Sequence, residues 1–270
     1  MTTQKVTILI PNFKTVELTK LCLRLIRKYT DLNLATVVVI DNDSQDDSLE
    51  YLRTVRWIKL IERQSIPGES PPLSHSRALD LGLQAVTTPF VLSIHTDTLV
   101  HHPDWLSFLL KQIESDPLIG GVGSWKLEAK PAWRRLFKAV EYFFQKKYYQ
   151  LIGKKDHALE GVGDNYFYLR SHCALYRTEL LRKYQTGFSE GESVAGKVLH
   201  RKLVTNGYRM IFLPSETLLH YMDHINHATM VINPDLGATK KAINKGQRRL
   251  QQSLVSFNAA DILQDVSLDA

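Results

Sequence analysis

The chain has 270 residues, 44% of them hydrophobic, with 34 basic and 28 acidic side chains giving a net charge of +6. That is enough for one large domain or two small ones, with a core that needs no disulfide staples. Cys22 and Cys173 show neither zinc spacing nor a disulfide pattern, residues 1–13 carry no long apolar leader, and no apolar run approaches the roughly 20 residues that cross a bilayer.

The expected setting is therefore cytoplasmic, soluble or peripheral at the inner face of the membrane. The basic excess, with a pI near 9.2, fits anionic substrates, a membrane surface or nucleic acid. It is concentrated at 130–155 and 240–249.

The first hundred residues alternate strand and helix signals. "KVTILI" (5–10) is a β-branched strand stopped by Pro11. From Leu18, the apolar positions Leu21, Cys22, Leu25, Ile26 and Tyr29 have helical spacing. "ATVVVI" (35–40) is a buried strand that runs into Asp41-Asn42-Asp43-Ser44, with Ser44 the expected N-cap of a short helix. "WIKLIE" (57–62) is a third strand, Ser74 can cap the next helix, and "FVLSI" (90–94) is a fourth strand that ends in His95-Thr96-Asp97.

Pro103 opens another helix through Trp105, Leu109 and Ile113. Beyond it, 133–151 has an aromatic stripe at helical spacing, "NYFYL" and "CALYR" read as strands, and "SVAGKVLHRKLVTNG" is a helix ending at Asn206-Gly207. "YRMIFLP" and "TLLHYM" are strands, and the last forty residues are polar and weakly periodic. The pattern predicts an α/β fold with a Rossmann-like, mostly parallel central sheet and helices on both faces.

Ligands of open parallel sheets lie beyond the carboxyl ends of the strands. Two such ends carry acids here, Asp41 and Asp43 after the second strand and Asp97 after the fourth. There is no G-x-G-x-x-G and no phosphate loop, which disfavours ordinary dinucleotide and P-loop chemistry. Acids without glycines suggest a nucleotide held by base and ribose, its diphosphate neutralised by a metal.

In this order, "VTILIPNFKTVELTKLCLRLI", "VVVIDNDSQDDSLEYL" and "ALDLGLQAVTTPFVLSIHTDTLV" resemble the nucleotide-binding half of family 2 glycosyltransferases of the A-type fold. "YRTELLRKYQTGFSEGESVAGKVLHRKLVTNGYRMIFLP" resembles the acceptor side, and "LLHY" the closing strand with a late histidine. The resemblance implies a single domain over 1–230, with a nucleotide-sugar half (1–110) and an acceptor half (111–230), followed by an extension (231–270).

It further implies an inverting, metal-dependent transfer from a nucleoside diphosphate sugar, of UDP or dTDP type, to a saccharide or lipid-linked acceptor. Asp41 and Asp43 would face the base and ribose, with Pro11 and Asn12 lining the base pocket. Thr96 and Asp97 would meet the diphosphate and metal, Glu192 would be the catalytic base with Glu190 as competitor, and His220 would join Asp97 and His95 as a ligand.

Two positions depart from the family pattern. His95 replaces the first acid of Asp-X-Asp, a softer ligand that suits Mn²⁺ better than Mg²⁺. Glu192-Ser193 replaces Glu-Asp.

Each of these residues also has a plainer reading. Asp41 and Asp43 are good turn formers. Glu190 and Glu192 suit a solvated helix start, and His101 and His102 suit the start before Pro103. "TLLHYM" as a strand leaves His220, not His224, as the late histidine. The 133–151 stripe reads first as core and second as a membrane-docking face. Two rival functions stand beside the enzyme: a catalytically silent nucleotide-sugar-binding protein, and a nucleic-acid binder that lacks RRM, KH or helix-turn-helix signatures.

Overall fold

The computed structural model describes residues 4–127, 160–192, 194–225, 228–233 and 258–270, together with 141, 144, 147, 148, 247, 250–252, 254 and 255. Strands β1 (Val6–Asn12), β2 (Ala35–Asn42), β3 (Ile58–Arg63) and β4 (Phe90–Ile94) alternate with helices α1 (Val16–Tyr29), α2 (Asp47–Thr54) and α3 (Pro71–Leu83). Then come β5 (Thr98–Val100), α4 (Trp105–Glu114), β6 (Ile119–Gly123), β7 (Cys173–Arg177), α5 (Thr178–Lys183) and α6 (Lys197–Thr205). The last elements are β8 (Arg209–Phe212), α7 (Ser215–Leu218), β9 (Met222–His224), α8 (Ala228–Ile232) and α9 (Ala259–Gln264).

Seven strands form one sheet in the order β3-β2-β1-β4-β7-β6-β8, and β5 pairs with β9 in a small second sheet. The strands from β3 to β4 are parallel, and β7 runs antiparallel to both of its neighbours. Alternate residues of β1 and β2 enter different cores, as the period-2 geometry of a strand requires. Ile8, Ile10, Val37 and Val39 pack with α1 and α4, whereas Leu9, Val38 and Ile40 pack with α3, α5 and α6. The expected mostly parallel sheet with two covered faces is present.

Several local expectations differ from the structure. β1 continues through Pro11 to Asn12, paired with Asp41. Pairing with β4 has stopped at Leu9, so the missing proline N–H falls where β1 has a neighbour on one side only. Asp46, not Ser44, caps α2, its side chain accepting from the Ser48 N–H. α3 starts earlier than expected, at Pro71, which frees Ser74 to accept from Asn42 at 2.8 Å. "NYFYL" forms no strand, and "TLLHYM" is the helix α7 followed by a turn into β9.

Gly123 has a direct steric reason, because a Cβ there would lie 2.1 Å from the Cys173 carbonyl oxygen. Glycine allows β6 and β7 to approach. Gly207, at φ +88°, ends α6 where the sequence placed its stop. Of the predicted helix over 133–151 only residues 141, 144, 147 and 148 are described, all helical, and of the basic block over 240–249 only residue 247; the rest of both lies outside the described residues.

The C-terminal residues wrap onto α1 and α2. Arg24 of α1 donates through Nε and Nη2 to Asp269 at 2.9 and 2.5 Å, and through Nη1 to the Ile262 and Leu263 carbonyls. Tyr51 donates to Asp269 at 2.7 Å, and the Trp57 indole to the Leu268 carbonyl at 2.8 Å. The Arg24 and Asp269 side chains are 4% and 17% exposed, so this is a largely buried ion pair.

Burial raises the Asp269 pKa, but the bonds from Arg24 and Tyr51 outweigh it and hold the carboxyl low. The clamp is therefore complete above the unfolded carboxyl value of about 3.9 and is lost as pH falls through the lower folded value. Asp269→Ala leaves the buried guanidinium without its counter-charge and is expected to cost roughly 3 kcal/mol at neutral pH. A urea-unfolding loss under about 1 kcal/mol would show that the clamp contributes little.

Candidate active site

Both candidate ligand regions lie at the carboxyl edge of the parallel strands, where the chain passes from β1 to β2 on one side and later to β4 on the other. On the β1–β2 side, Asn12 is fully buried and its amide reaches Asp41 Oδ1 at 2.8 Å, Ser48 Oγ at 3.0 Å and Ser44 Oγ at 3.2 Å. Its carbonyl oxygen accepts from Thr19 at 2.6 Å. Asp41 Oδ2 accepts the Ser44 N–H at 3.0 Å.

Asp41 and Asn12 thus organise the turn 41–44 from below. Asp43 stands in the left-handed region at φ 65° and is half-buried. It accepts from Ser65 at 2.5 Å and Gln45 at 2.7 Å, and these bonds hold its carboxyl low. Pro11 is buried within β1.

On the β4 side, the pairing of β5 with β9 sets His224 opposite Thr98, and the Ile225 N–H donates to the Asp97 carbonyl at 2.9 Å. That ladder brings His95, Asp97 and His224 together, with one potential ligand atom from each inside a 4.8 Å group. Asp97 Oδ1 lies 3.2 Å from His224 Nε2 and 3.7 Å from His95 Nδ1. Neither contact has hydrogen-bond alignment, so Oδ1 is buried without a hydrogen bond, and so is His224 Nδ1.

A buried carboxylate oxygen left this way is costly on its own and suits a cation. A borderline set of two imidazoles and one carboxylate fits a divalent transition ion.

The surrounding groups orient the cluster. Ser171 Oγ meets His95 Nε2 at 2.9 Å and His75 Nε2 of α3 at 3.2 Å. His172 stacks on His224 with centroids 4.4 Å apart, and Ser124 Oγ meets its Nε2 at 2.7 Å. Burial pushes His75 down to about 4 and holds His95 and His172 well below the usual histidine value, keeping the rings neutral. For Asp97, burial would raise the pKa, but His224 and His95 outweigh it and hold the carboxyl well below the usual range. A neutral His95 beside an ionised Asp97 is in the state a metal ion requires.

His220 lies elsewhere. Its ring packs on His102 at 4.9 Å, four residues ahead of His224. Thr96 is buried, with Oγ1 3.4 Å from Thr15 Oγ1. Glu192 is exposed, in the left-handed region at φ 49°, and its only described ion pair is with Arg77 at 3.5 Å. Glu190 accepts from Thr186 and from Lys202 at 2.9 Å; these bonds outweigh burial and hold it low, which weakens it as a base.

Sequence reading missed His75, Arg170, Ser171 and His172. The polar run "RSH" directly before "CALYR" was the available signal for three of them.

Residues 7–185 match glycosyl transferase family 2. Among curated proteins nothing matches the chain. The fold resembles a mannosyltransferase from Pyrobaculum calidifontis solved with GDP-Man and Mn²⁺, with TM-score 0.54 and 19% identity, covering 96% of this chain and 78% of that one. It also resembles residues 1–349 of S. aureus TarS (TM-score 0.53, 15% identity, 97% and 75% covered). A third neighbour is glucosyl-3-phosphoglycerate synthase from Mycobacterium tuberculosis in complex with phosphoglyceric acid (TM-score 0.51, 16% identity, 90% and 78% covered). With its strand-end acids in the expected order and two-thirds of its length matched, the chain belongs to glycosyl transferase family 2, and it is a glycosyltransferase with the A-type fold.

Proposed function

We propose that the protein transfers a sugar from a nucleoside diphosphate sugar to an acceptor hydroxyl in one inverting displacement that depends on a divalent metal. The observation that carries this is Asp97 Oδ1, buried without a hydrogen bond and facing two imidazoles at the end of β4. His95, Asp97 and His224 would hold the ion, with His224 taking the part that the family resemblance gave to His220. A bound divalent ion neutralises charge developing on the diphosphate leaving group. The nucleotide sugars of solved neighbours, GDP-Man and UDP-GlcNAc, support the donor class.

The chain's own residues supply the rest. Asp41 and Asn12 hold the turn 41–44 as a rigid rim for the base and ribose, and Asp43 is the half-exposed acid on that rim. Glu192, free of strong partners on a loop beside α3, takes the acceptor proton as attack proceeds. Two imidazoles in the ligand set favour Mn²⁺ over Mg²⁺.

Mn²⁺ at one hundred times its dissociation constant should stabilise the parent by about 2.7 kcal/mol, read as a thermal shift. His224→Ala and Asp97→Asn should lose that shift while His220→Ala keeps it. If His224→Ala keeps the shift, His224 is not a ligand.

Asp41→Ala should abolish nucleoside diphosphate binding and cost about 2 kcal/mol of stability, because Asn12 and the Ser44 N–H lose a charged acceptor. Parent-like affinity by calorimetry would remove Asp41 from the donor site.

Glu192→Gln should slow turnover by about a hundredfold or more at unchanged donor affinity. Glu190→Gln should act mainly on stability. Full activity in Glu192→Gln would place the base elsewhere.

A further inference from the structure

Arg170-Ser171-His172 forms a lip between the histidine cluster and an aromatic patch after β6. Ser171 and His172 are accounted for, since one bonds His95 and the other stacks on His224. Arg170 touches none of the three proposed ligands, and its side-chain polar contact is with Tyr168. Its backbone is pinned on both sides, the N–H donating to the Ser124 carbonyl at 2.9 Å and its carbonyl accepting from the Cys173 N–H at 3.0 Å. Its guanidinium lies over the Trp125 ring, 4.2 Å from the centroid, with the Tyr168 ring at 5.8 Å. Its Nε is buried with no hydrogen bond.

Among the described residues no carboxylate forms an ion pair with Arg170. Glu160 feels the Arg170 charge, but its Oε1 already accepts from the Trp125 indole at 2.7 Å and from Lys126. In the other direction, Arg170 borders the cluster. Burial is the main cause of the lowered pKa of His95 and His172, and the charge of Arg170 adds to it at both rings. Arg170 is thus a cation stacked on an indole, with an unused donor beside the proposed metal ligands.

The charge balance of the site suggests what this donor is for. With His95 in place of an acid, a divalent ion here meets one carboxylate, Asp97, and keeps one positive charge. A nucleoside diphosphate leaving group carries about two to three negative charges, so a second cation would improve the match. An arginine held flat by an aromatic ring loses little freedom on binding and presents its fork to paired phosphate oxygens.

We propose that Arg170 is an anion-binding residue of the transfer site, donating from Nε and its terminal nitrogens to phosphate oxygens of the bound diphosphate, an inference that rests on the metal-and-diphosphate function proposed above. No bond forms or breaks at the guanidinium. It stabilises the departing oxyanion by hydrogen bonding and charge.

The test is calorimetric binding of inorganic pyrophosphate to the full chain in saturating Mn²⁺, for the parent, Arg170→Gln and Arg170→Lys. Arg170→Gln should bind pyrophosphate roughly tenfold or more weakly, the loss expected for a charge-assisted hydrogen bond. Arg170→Lys, which keeps the charge and an apolar stem over Trp125, should lose less and serves if the glutamine variant fails to fold. Mn²⁺ affinity without pyrophosphate should not fall in either, because a guanidinium offers no lone pair to a metal and its charge opposes a cation at the histidines.

Parent-like pyrophosphate affinity in Arg170→Gln would overturn the assignment while leaving the proposed function standing. An equal loss of Mn²⁺ affinity would also overturn it, by showing that Arg170 only props the histidines. A parent that binds Mn²⁺ but no pyrophosphate would sink the diphosphate function itself, and Arg170's part with it.

Discussion

The antiparallel pairing of β7 with β4 is the constraint on which the site depends. Its register sets Ile94 against Cys173. Whatever follows Ile94 in the chain must therefore meet whatever precedes Cys173. Four parallel strands send their carboxyl ends to one edge of the sheet, and β7 alone among the neighbours of β4 sends its amino end there. His95 and Asp97 thus meet Ser171 and His172, residues more than seventy positions away. The contact is tight enough that Gly123 must be glycine, since any side chain would collide with the Cys173 carbonyl. A second antiparallel ladder, β5 with β9, then delivers His224 from the opposite side.

The assembled cluster is expensive in the absence of a ligand. Asp97 is ionised and buried, one of its oxygens lacks a hydrogen bond, and burial keeps the neighbouring His95 ring neutral. Such an arrangement persists only because the surrounding scaffold determines it, and a bound cation would offset the cost of the oxygen left without a hydrogen bond. The scaffold here is rigid: both ladders, the Ser124–His172 contact and the Ser171 hydroxyl between two histidines leave little room for the rings to relax. Neutral ligands in place of a second acid also leave the site more positive, which favours an anionic partner over the ion alone.

The sheet was legible because β1, β2 and β4 are continuous apolar runs and because the glycine stop of α6 has a single structural meaning. Asp41 and Asp97 were legible from the same geometry, as polar residues directly after buried strands. His224 was not. Its assignment depended on whether 217–222 was strand, and the short helix α7 shifts the strand by a few residues, carrying His220 to His102 and His224 to Asp97. Ser171 and His172 were hidden because strand direction is invisible in an apolar run. Read as parallel, "CALYR" would place "RSH" at the wrong end of the sheet. His75 was masked by its place on an amphipathic helix, where a lone histidine gives no periodic signal.

The two halves of the site are joined by buried charge. Arg63, at the end of β3, donates to Asn42 at the end of β2 at 2.6 Å and to both oxygens of Glu69 at 2.8 and 2.6 Å. Arg77 of α3 also reaches Glu69, at 2.9 Å, and its other arm lies 3.5 Å from Glu192. The Glu69 side chain is only 2% exposed. Burial would raise its pKa, yet the two arginines outweigh this and hold it low.

One buried carboxylate between two guanidiniums leaves a net positive charge, and Arg77 is the arm free to share it with an exposed acid. The strand end proposed to frame the nucleotide and the loop that carries the proposed base therefore touch the same ion cluster. α3 also holds Asp80, which accepts the Phe188 and Ser189 N–H groups at the start of that loop. α3 thus anchors the start of that loop through Asp80, while its first turns present His75 to Ser171 beside the candidate metal cluster. The loop that carries Glu192 is therefore tied to the same helix as the histidine cluster through Asp80, while the 3.5 Å contact of Arg77 with an exposed carboxylate adds little to it.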